Sequence, residues 1–201
     1  PNGGVNVLGA RLGLVGSLAS SPSASSADGA PLPLPSFRPR FVYDIVAFGS
    51  WRRKLYEDYG SWQLSPRAYA VLGAGLSVMY APVRKLRAGA AFDVVYDASA
   101  NEFYAHDPSS ADGFFNPPLS AKVALGLSAR AEFVMPVFTV GVGLGANVLH
   151  RGGDLKAFYQ MLFLKIDVAH PVFLHVGYRL QEFKTPNYLM LGLGIRLNDR
   201  R

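Results

Sequence analysis

Bulky apolar residues alternate with small or polar ones along most of this chain. From Leu119 to Phe133 the odd positions include Leu125, Leu127 and Phe133, while the even ones include Lys122, Gly126, Ser128, Arg130 and Glu132. Between Leu86 and Tyr96, Leu86, Phe92, Val94 and Tyr96 oppose Arg87, Gly89 and Asp93. Val172 to Leu180 and Leu189 to Leu197 repeat the pattern, with Phe173, His175, Gly177 and Arg179, then Tyr188, Met190, Gly192, Gly194 and Arg196, on the second face. A period of two is the signature of a strand. The stretch Phe133 to His150 lacks charge and approaches the ~20 residues of a membrane helix. Its glycines Gly141, Gly143 and Gly145 would fall on every helical face at about 1 kcal/mol each, whereas on a strand they share one side.

The pattern predicts about nine strands, at 4–16, 41–53, 68–80, 86–97, 119–134, 137–149, 157–168, 172–180 and 188–197. Their lengths suit the ~9–11 residues of a tilted transmembrane strand. A soluble sandwich also alternates, but its outward face is rich in Lys, Glu and Thr. Here the less apolar face carries Gly, Ser and Ala with charges of both signs: Arg87, Asp93, Lys122, Arg130, Glu132, Lys165, Asp167, Arg179 and Arg196 read as a lumen lattice of paired ions. Aromatic residues near the strand ends, namely Phe41, Tyr43, Trp51, Tyr80, Tyr96, Phe133, Phe138, Phe158 and Tyr178, suit interfacial girdles. The expected fold is an all-β, antiparallel transmembrane β-barrel, which places the chain in a bacterial outer membrane.

Connection lengths agree with that topology. Ala81–Lys85, Met135–Pro136 and Ala169–Pro171 are tight, and Lys54–Arg67, Ala98–Pro118, His150–Lys156 and Gln181–Asn187 are longer, as periplasmic turns and external loops should be. Residues 17–40, rich in Ser, Pro and Ala, are long on the short side and read as a flexible periplasmic connection. Parity then starts segment 4–16 outside the cell. Because single-chain bacterial barrels have an even strand number and periplasmic termini, an odd number of strands is expected before Pro1, and residues 1–201 read as one partial barrel.

Composition narrows the chemistry. Half of the 201 residues are hydrophobic and 17% are charged, against a usual ~25% charged, which excludes a disordered tail or a coiled coil. With no Cys there is no disulfide framework, thiolate metal site or cysteine nucleophile. The net charge of +6 suits an anionic partner such as a lipid phosphate. Gly141, Gly143 and Ala146 fit a dinucleotide-binding G-x-G-x-x-A, but no helix follows, so no cofactor is expected. His106, His150, His170 and His175 share no metal-ligating spacing, and no metal is expected. Asp107 to Gly113 has the flavour of a calcium loop without its spacing and reads as an external loop. The basic run Trp51, Arg52, Arg53, Lys54 could meet nucleic-acid phosphates, but on a barrel it lies at the external rim, facing lipopolysaccharide phosphates or solvent. No nucleic-acid partner is expected. No Ser-His-Asp triad can be assembled from the remaining residues.

The opening block Pro1 to Gly13, PNGGVNVLGARLG, resembles the stretch that follows the His-x-Ser-Asn-Gly motif of lipid A 3-O-deacylases of the PagL type. Phe48–Lys54, Gly126–Glu132, Gly152–Asp154, His175–Tyr178 and Phe183–Gly194 resemble the longer acyloxyacyl hydrolases of Bacteroidetes. The resemblance spans most of the chain outside 17–40. It implies a serine esterase in the membrane plane that removes acyl chains from lipid A, with lipopolysaccharide and outer-membrane lipids as partners. The His and Ser would lie just upstream of Pro1, so residues 1–201 alone would be inactive. The third, acidic member falls at about Asn6, which can accept the imidazole N–H but cannot stabilise imidazolium by charge. Asn6 is therefore the candidate catalytic residue, as an orienter of the His. It shares a strand face with Leu8, Ala10, Leu12 and Leu14 at the external end, where an outer-leaflet substrate would be met. Two alternatives stand beside this reading: a non-enzymatic barrel, channel or structural, and an outer-membrane phospholipase, whose motif continues differently from Pro1–Asn6.

Overall fold

A computed structural model of the chain describes residues 37–107, 113–181 and 185–199. Segment 4–16 with Asn6, nearly all of 17–40, and the core of the Asp107–Gly113 loop lie outside them. The strands are β1 (Arg40–Arg52), β2 (Leu55–Asp58), β3 (Ser61–Leu64), β4 (Tyr69–Val83), β5 (Leu86–Asp97), β6 (Phe103–Asp107), β7 (Gly113–Phe115), β8 (Val123–Val134), β9 (Phe138–Leu149), β10 (Phe158–Ala169), β11 (Val172–Gln181) and β12 (Thr185–Leu197). Eight of them close a barrel in the order β1-β12-β11-β10-β9-β8-β5-β4, each antiparallel to both neighbours. The other four form two hairpins, β2–β3 and β6–β7, on the side of the long loops.

Eight of the nine expected strands make up this barrel, and the ninth, 4–16, lies outside the described residues. β1 pairs with β12 from Tyr43↔Leu197 to Gly49↔Leu191, so each of these eight strands has a neighbour on both edges. Elsewhere the strand ends fall within a few residues of those expected. Leu119–Ala121 form a short 3₁₀ turn instead of strand, because Pro117 and Pro118 fix the backbone ahead of it and Pro118 supplies its N-cap. β11 and β12 run into the connection expected at Gln181–Asn187, and pair as far as Gln181↔Thr185 with a register shift after Arg179. The stretch Lys54–Arg67 is a hairpin, whose turn Tyr59-Gly60 takes positive φ at both residues (44° and 79°), the geometry that matches strand twist.

The two faces of the wall follow the sequence. Ile45, Leu76, Leu127, Leu144, Leu162 and Leu193 are exposed on the outside, and Asp44, Ser77, Ser128, Gly143, Phe163 and Gly194 at neighbouring positions turn inward. All nine girdle aromatics turn outward. Phe41, Tyr80, Phe133 and Phe138 lie toward the short-turn end, Trp51, Tyr96, Phe158 and Tyr178 toward the other. From Phe41 to Trp51 is ten steps of β1, about 33 Å of strand at ~3.3 Å each, or about 25 Å of height at a ~40° tilt. That is the hydrocarbon thickness an outer-membrane barrel spans.

The interior is packed solid. Tyr159, Phe163, Phe173, Tyr188, Met79 and Met190 fill it, each at most 5% exposed. Space for these rings comes from glycines directly opposite them: Phe163↔Gly141, Tyr159↔Gly145 and Phe173↔Gly194 are register pairs in which the ring lies where a Cβ would stand, 2.2–2.3 Å from it. This is the cross-strand arrangement in which an aromatic ring covers a glycine's bare backbone. Gly141, the first glycine of the apparent dinucleotide fingerprint, thus makes room for the Phe163 ring of β10.

Candidate functional site

Polar side chains in the barrel form three levels. Toward the short turns, Lys165 Nζ lies 2.6 Å from Asp44 Oδ2 and also bonds Glu132, while Arg196 Nε donates to Asp44 Oδ1 at 3.0 Å and its Nη1 to Asp167 Oδ1 at 3.0 Å. Arg87 Nη2 and Arg40 Nη2 both reach Asp199, at 2.8 and 3.3 Å. At mid-height Asp93 takes Arg130, Ser128 Oγ at 2.9 Å and Tyr159 Oη at 2.8 Å. Above it the Arg179 guanidinium lies 3.7 Å from the Tyr159 ring centroid and donates to Asn147 Oδ1 at 2.9 Å.

The external mouth is tied shut by a third set. Arg52 bridges Asp97 (2.6 Å), Ser99 (2.8 Å) and Asn187. Lys54 reaches Asp154 and the Glu102 carbonyl, and Lys122 pairs with Glu102 Oε1 at 2.9 Å. Arg67, also on Glu102 at 3.2 Å, is held above its ordinary pKa first by its bond to Tyr69. Charges buried in pairs with satisfied hydrogen bonds are tolerated; alone they are not.

The expected lumen lattice is therefore present, with one difference in kind. Arg179 is held by an amide, a phenol and a ring face instead of a carboxylate. The sequence reading missed Asp44, although its place between Val42 and Val46 on the inward parity of β1 marks it. It also missed Asp97, Glu102, Asp154 and Asp199, which sit at strand ends or in loops where period two gives no signal.

The basic run divides by the same parity. Arg52 and Lys54 turn in to the mouth, while Trp51 and Arg53 are exposed outside. The histidines are scattered: His150 Nδ1 accepts from the Gly152 backbone N–H, His170 lies in the β10–β11 turn, and His175 is inside the barrel with Nδ1 unpartnered. Among the described residues no serine hydroxyl is bonded to a histidine, so no nucleophile–base pair is assembled there. The cavity beside His175, bounded by Phe48, Asp93, Arg130, Met161, Phe163 and Arg179, is about 10 Å³, room for one water at most. An acyl chain does not fit in it.

An apolar exterior, a sealed ionic interior and a closed eight-strand wall define an outer-membrane β-barrel. Residues 41–199 match the family described as "Acyloxyacyl hydrolase, C-terminal domain", and the chain belongs to that family. Its place is the bacterial outer membrane. Among solved structures the chain is similar to Ail, the attachment invasion locus protein of Yersinia pestis, at 11% identity and TM-score 0.41 over 78% of this chain and 98% of that one. It is also similar to Neisserial surface protein A, at 14% identity and TM-score 0.37 over 81% and 100%. Likeness this distant carries no functional argument. No curated protein matches.

Proposed function

We propose that the chain serves an outer-membrane carboxylic ester hydrolase that removes acyl chains from lipid A. The family match over 41–199 carries this reading, and the likeness of Pro1–Gly13 to the text after a His-x-Ser-Asn-Gly motif supports it. On this reading the sealed barrel is the membrane-embedded part and does no chemistry in its lumen. The serine and histidine lie ahead of Pro1, and Asn6 accepts the imidazole N–H to hold the reactive tautomer. Lipid A in the outer leaflet is the partner.

The test is expression of the complete coding sequence in a host making lipopolysaccharide, with lipid A examined by mass spectrometry. The expected result is the mass loss of an acyl chain, reduced by Asn6→Ala and retained by Asn6→Asp. Unchanged lipid A from cells in which the protein is folded and inserted would overturn the reading. The second reading is a purely structural barrel, for which the filled lumen is the supporting observation. The channel form of that alternative conflicts with the packed lumen.

A further inference from the structure

The outward parity of β1 does not stop at the membrane. Phe41, Tyr43, Ile45, Ala47, Trp51, Arg53, Leu55 and Glu57 are all exposed, while Arg52, Lys54 and Tyr56 turn the other way, so one face runs from the barrel wall into the β2–β3 hairpin. Register pairs Leu55 with Leu64 and Glu57 with Trp62, which puts Leu64 and Trp62 on that same face. The hairpin's opposite face is covered: the Tyr56 ring lies 5.0 Å from the rings of both Tyr104 and Phe114 in the β6–β7 hairpin. What remains open is Trp51 (80% exposed), Leu55 (58%), Trp62 (70%) and Leu64 (57%), with Arg53 among them.

This patch is continuous with the lipid-facing wall and begins at the outer aromatic girdle, just above the hydrocarbon. Arg53 is two residues past Trp51, at the depth of lipid phosphates. Its neighbours Arg52 and Lys54 are neutralised by Asp97 and Asp154. Among the described residues no carboxylate is paired with Arg53. Glu57 shares the face but lies four strand positions away, about 13 Å. We infer that the outward face formed by Trp51, Arg53, Leu55, Trp62 and Leu64 binds a phosphorylated, multiply acylated lipid of the outer leaflet, the phosphate on Arg53 and the acyl and sugar parts against the apolar side chains. This holds whether or not the protein hydrolyses lipid A.

The protein carries two tryptophans, and both are in the patch. The full chain bearing Trp51→Phe, folded into phosphatidylcholine vesicles, leaves Trp62 as sole reporter. Raising the fraction of diphosphorylated lipid A should shift Trp62 emission to the blue and expose it to quenching by brominated acyl chains. Lipid A stripped of phosphate should not. Arg53→Gln should raise the half-saturating lipid fraction about five-fold, and Arg84→Gln at the opposite mouth should leave it unchanged. An equal response to the dephosphorylated lipid, or one indifferent to Arg53→Gln, overturns the inference. So does a shift that follows protein-to-lipid ratio instead of lipid composition, since a second copy of the chain would then be covering the face. Gel mobility of the folded barrel confirms that each variant is inserted.

Discussion

Replacing Lys165 by Met asks whether the barrel interior is dry. Lys165 is fully buried, with Nζ between Asp44 and Glu132. Methionine keeps most of the volume and removes the charge. Asp44 would keep Arg196 at 3.0 Å, but the nearest other cation to Glu132 is Arg87 Nη1 at 4.0 Å, and Glu132 Oε2 has no hydrogen bond. The loss therefore falls on Glu132, and stranding one charge of a buried pair costs about 3–5 kcal/mol. Against a typical total of about 5–15 kcal/mol this is a large share. Adding Glu132→Gln removes the stranded charge and should restore most of it, leaving a deficit near the ~1 kcal/mol of an ordinary hydrogen bond. The assay is urea unfolding of the full chain in phospholipid vesicles, followed by tryptophan emission and by the mobility of the folded barrel. A Lys165→Met variant within about 1 kcal/mol of the parent, the worth of a solvent-exposed pair, would show that water screens these charges and that the lumen is not packed as described.

Three other substitutions or measurements address the wall. Leu76→Arg, on the outer face opposite Ile45 near mid-height, should lower the same unfolding free energy by about 2–4 kcal/mol, while Val83→Arg at the rim should cost about 0–1 kcal/mol; equal costs would refute the assigned membrane depth. Gly192→Ala should impair barrel formation, because its Cβ would stand 2.0 Å from the Ala47 carbonyl oxygen across the closing seam, whereas Gly143→Ala, with nothing nearer than 3.4 Å, should fold as the parent does on the same gel. In planar bilayers the folded chain should pass no steady current, and a reproducible single-channel conductance would contradict the filled lumen.

The wall was legible because hydrocarbon outside and a narrow interior impose opposite demands on successive residues, and a period of two records them directly. Leu189 to Leu197 against Tyr188 to Arg196 is unambiguous on that basis. How the interior is packed was not legible. Parity sets Phe163 with Lys165 and Phe173 with His175 on the inward face, but that their rings lie over Gly141 and Gly194 depends on register across two strands, which one strand cannot display. The hairpin β2–β3 was read as loop because four-residue strands give too few alternations to count, though Tyr59-Gly60 flanked by Asp58 and Ser61 is a turn signal. The candidate site stayed out of reach for a different reason: Asn6 lies outside the described residues, and the resemblance that singles it out rests on one short block.

The pairing of β1 with β12 has a consequence for assembly. Arg196 and Asp44, which are register partners and bond across this seam, are 152 positions apart in sequence. Before that seam zips up, both terminal strands would present bare amides and carbonyls to hydrocarbon, where nothing can satisfy them. The strands therefore cannot enter the bilayer one by one; entry and sealing are a single event that waits for β12, the last of the eight barrel strands in chain order. A frameshift in the final dozen codons of this region would abolish the whole cylinder, not merely shorten it by one stave.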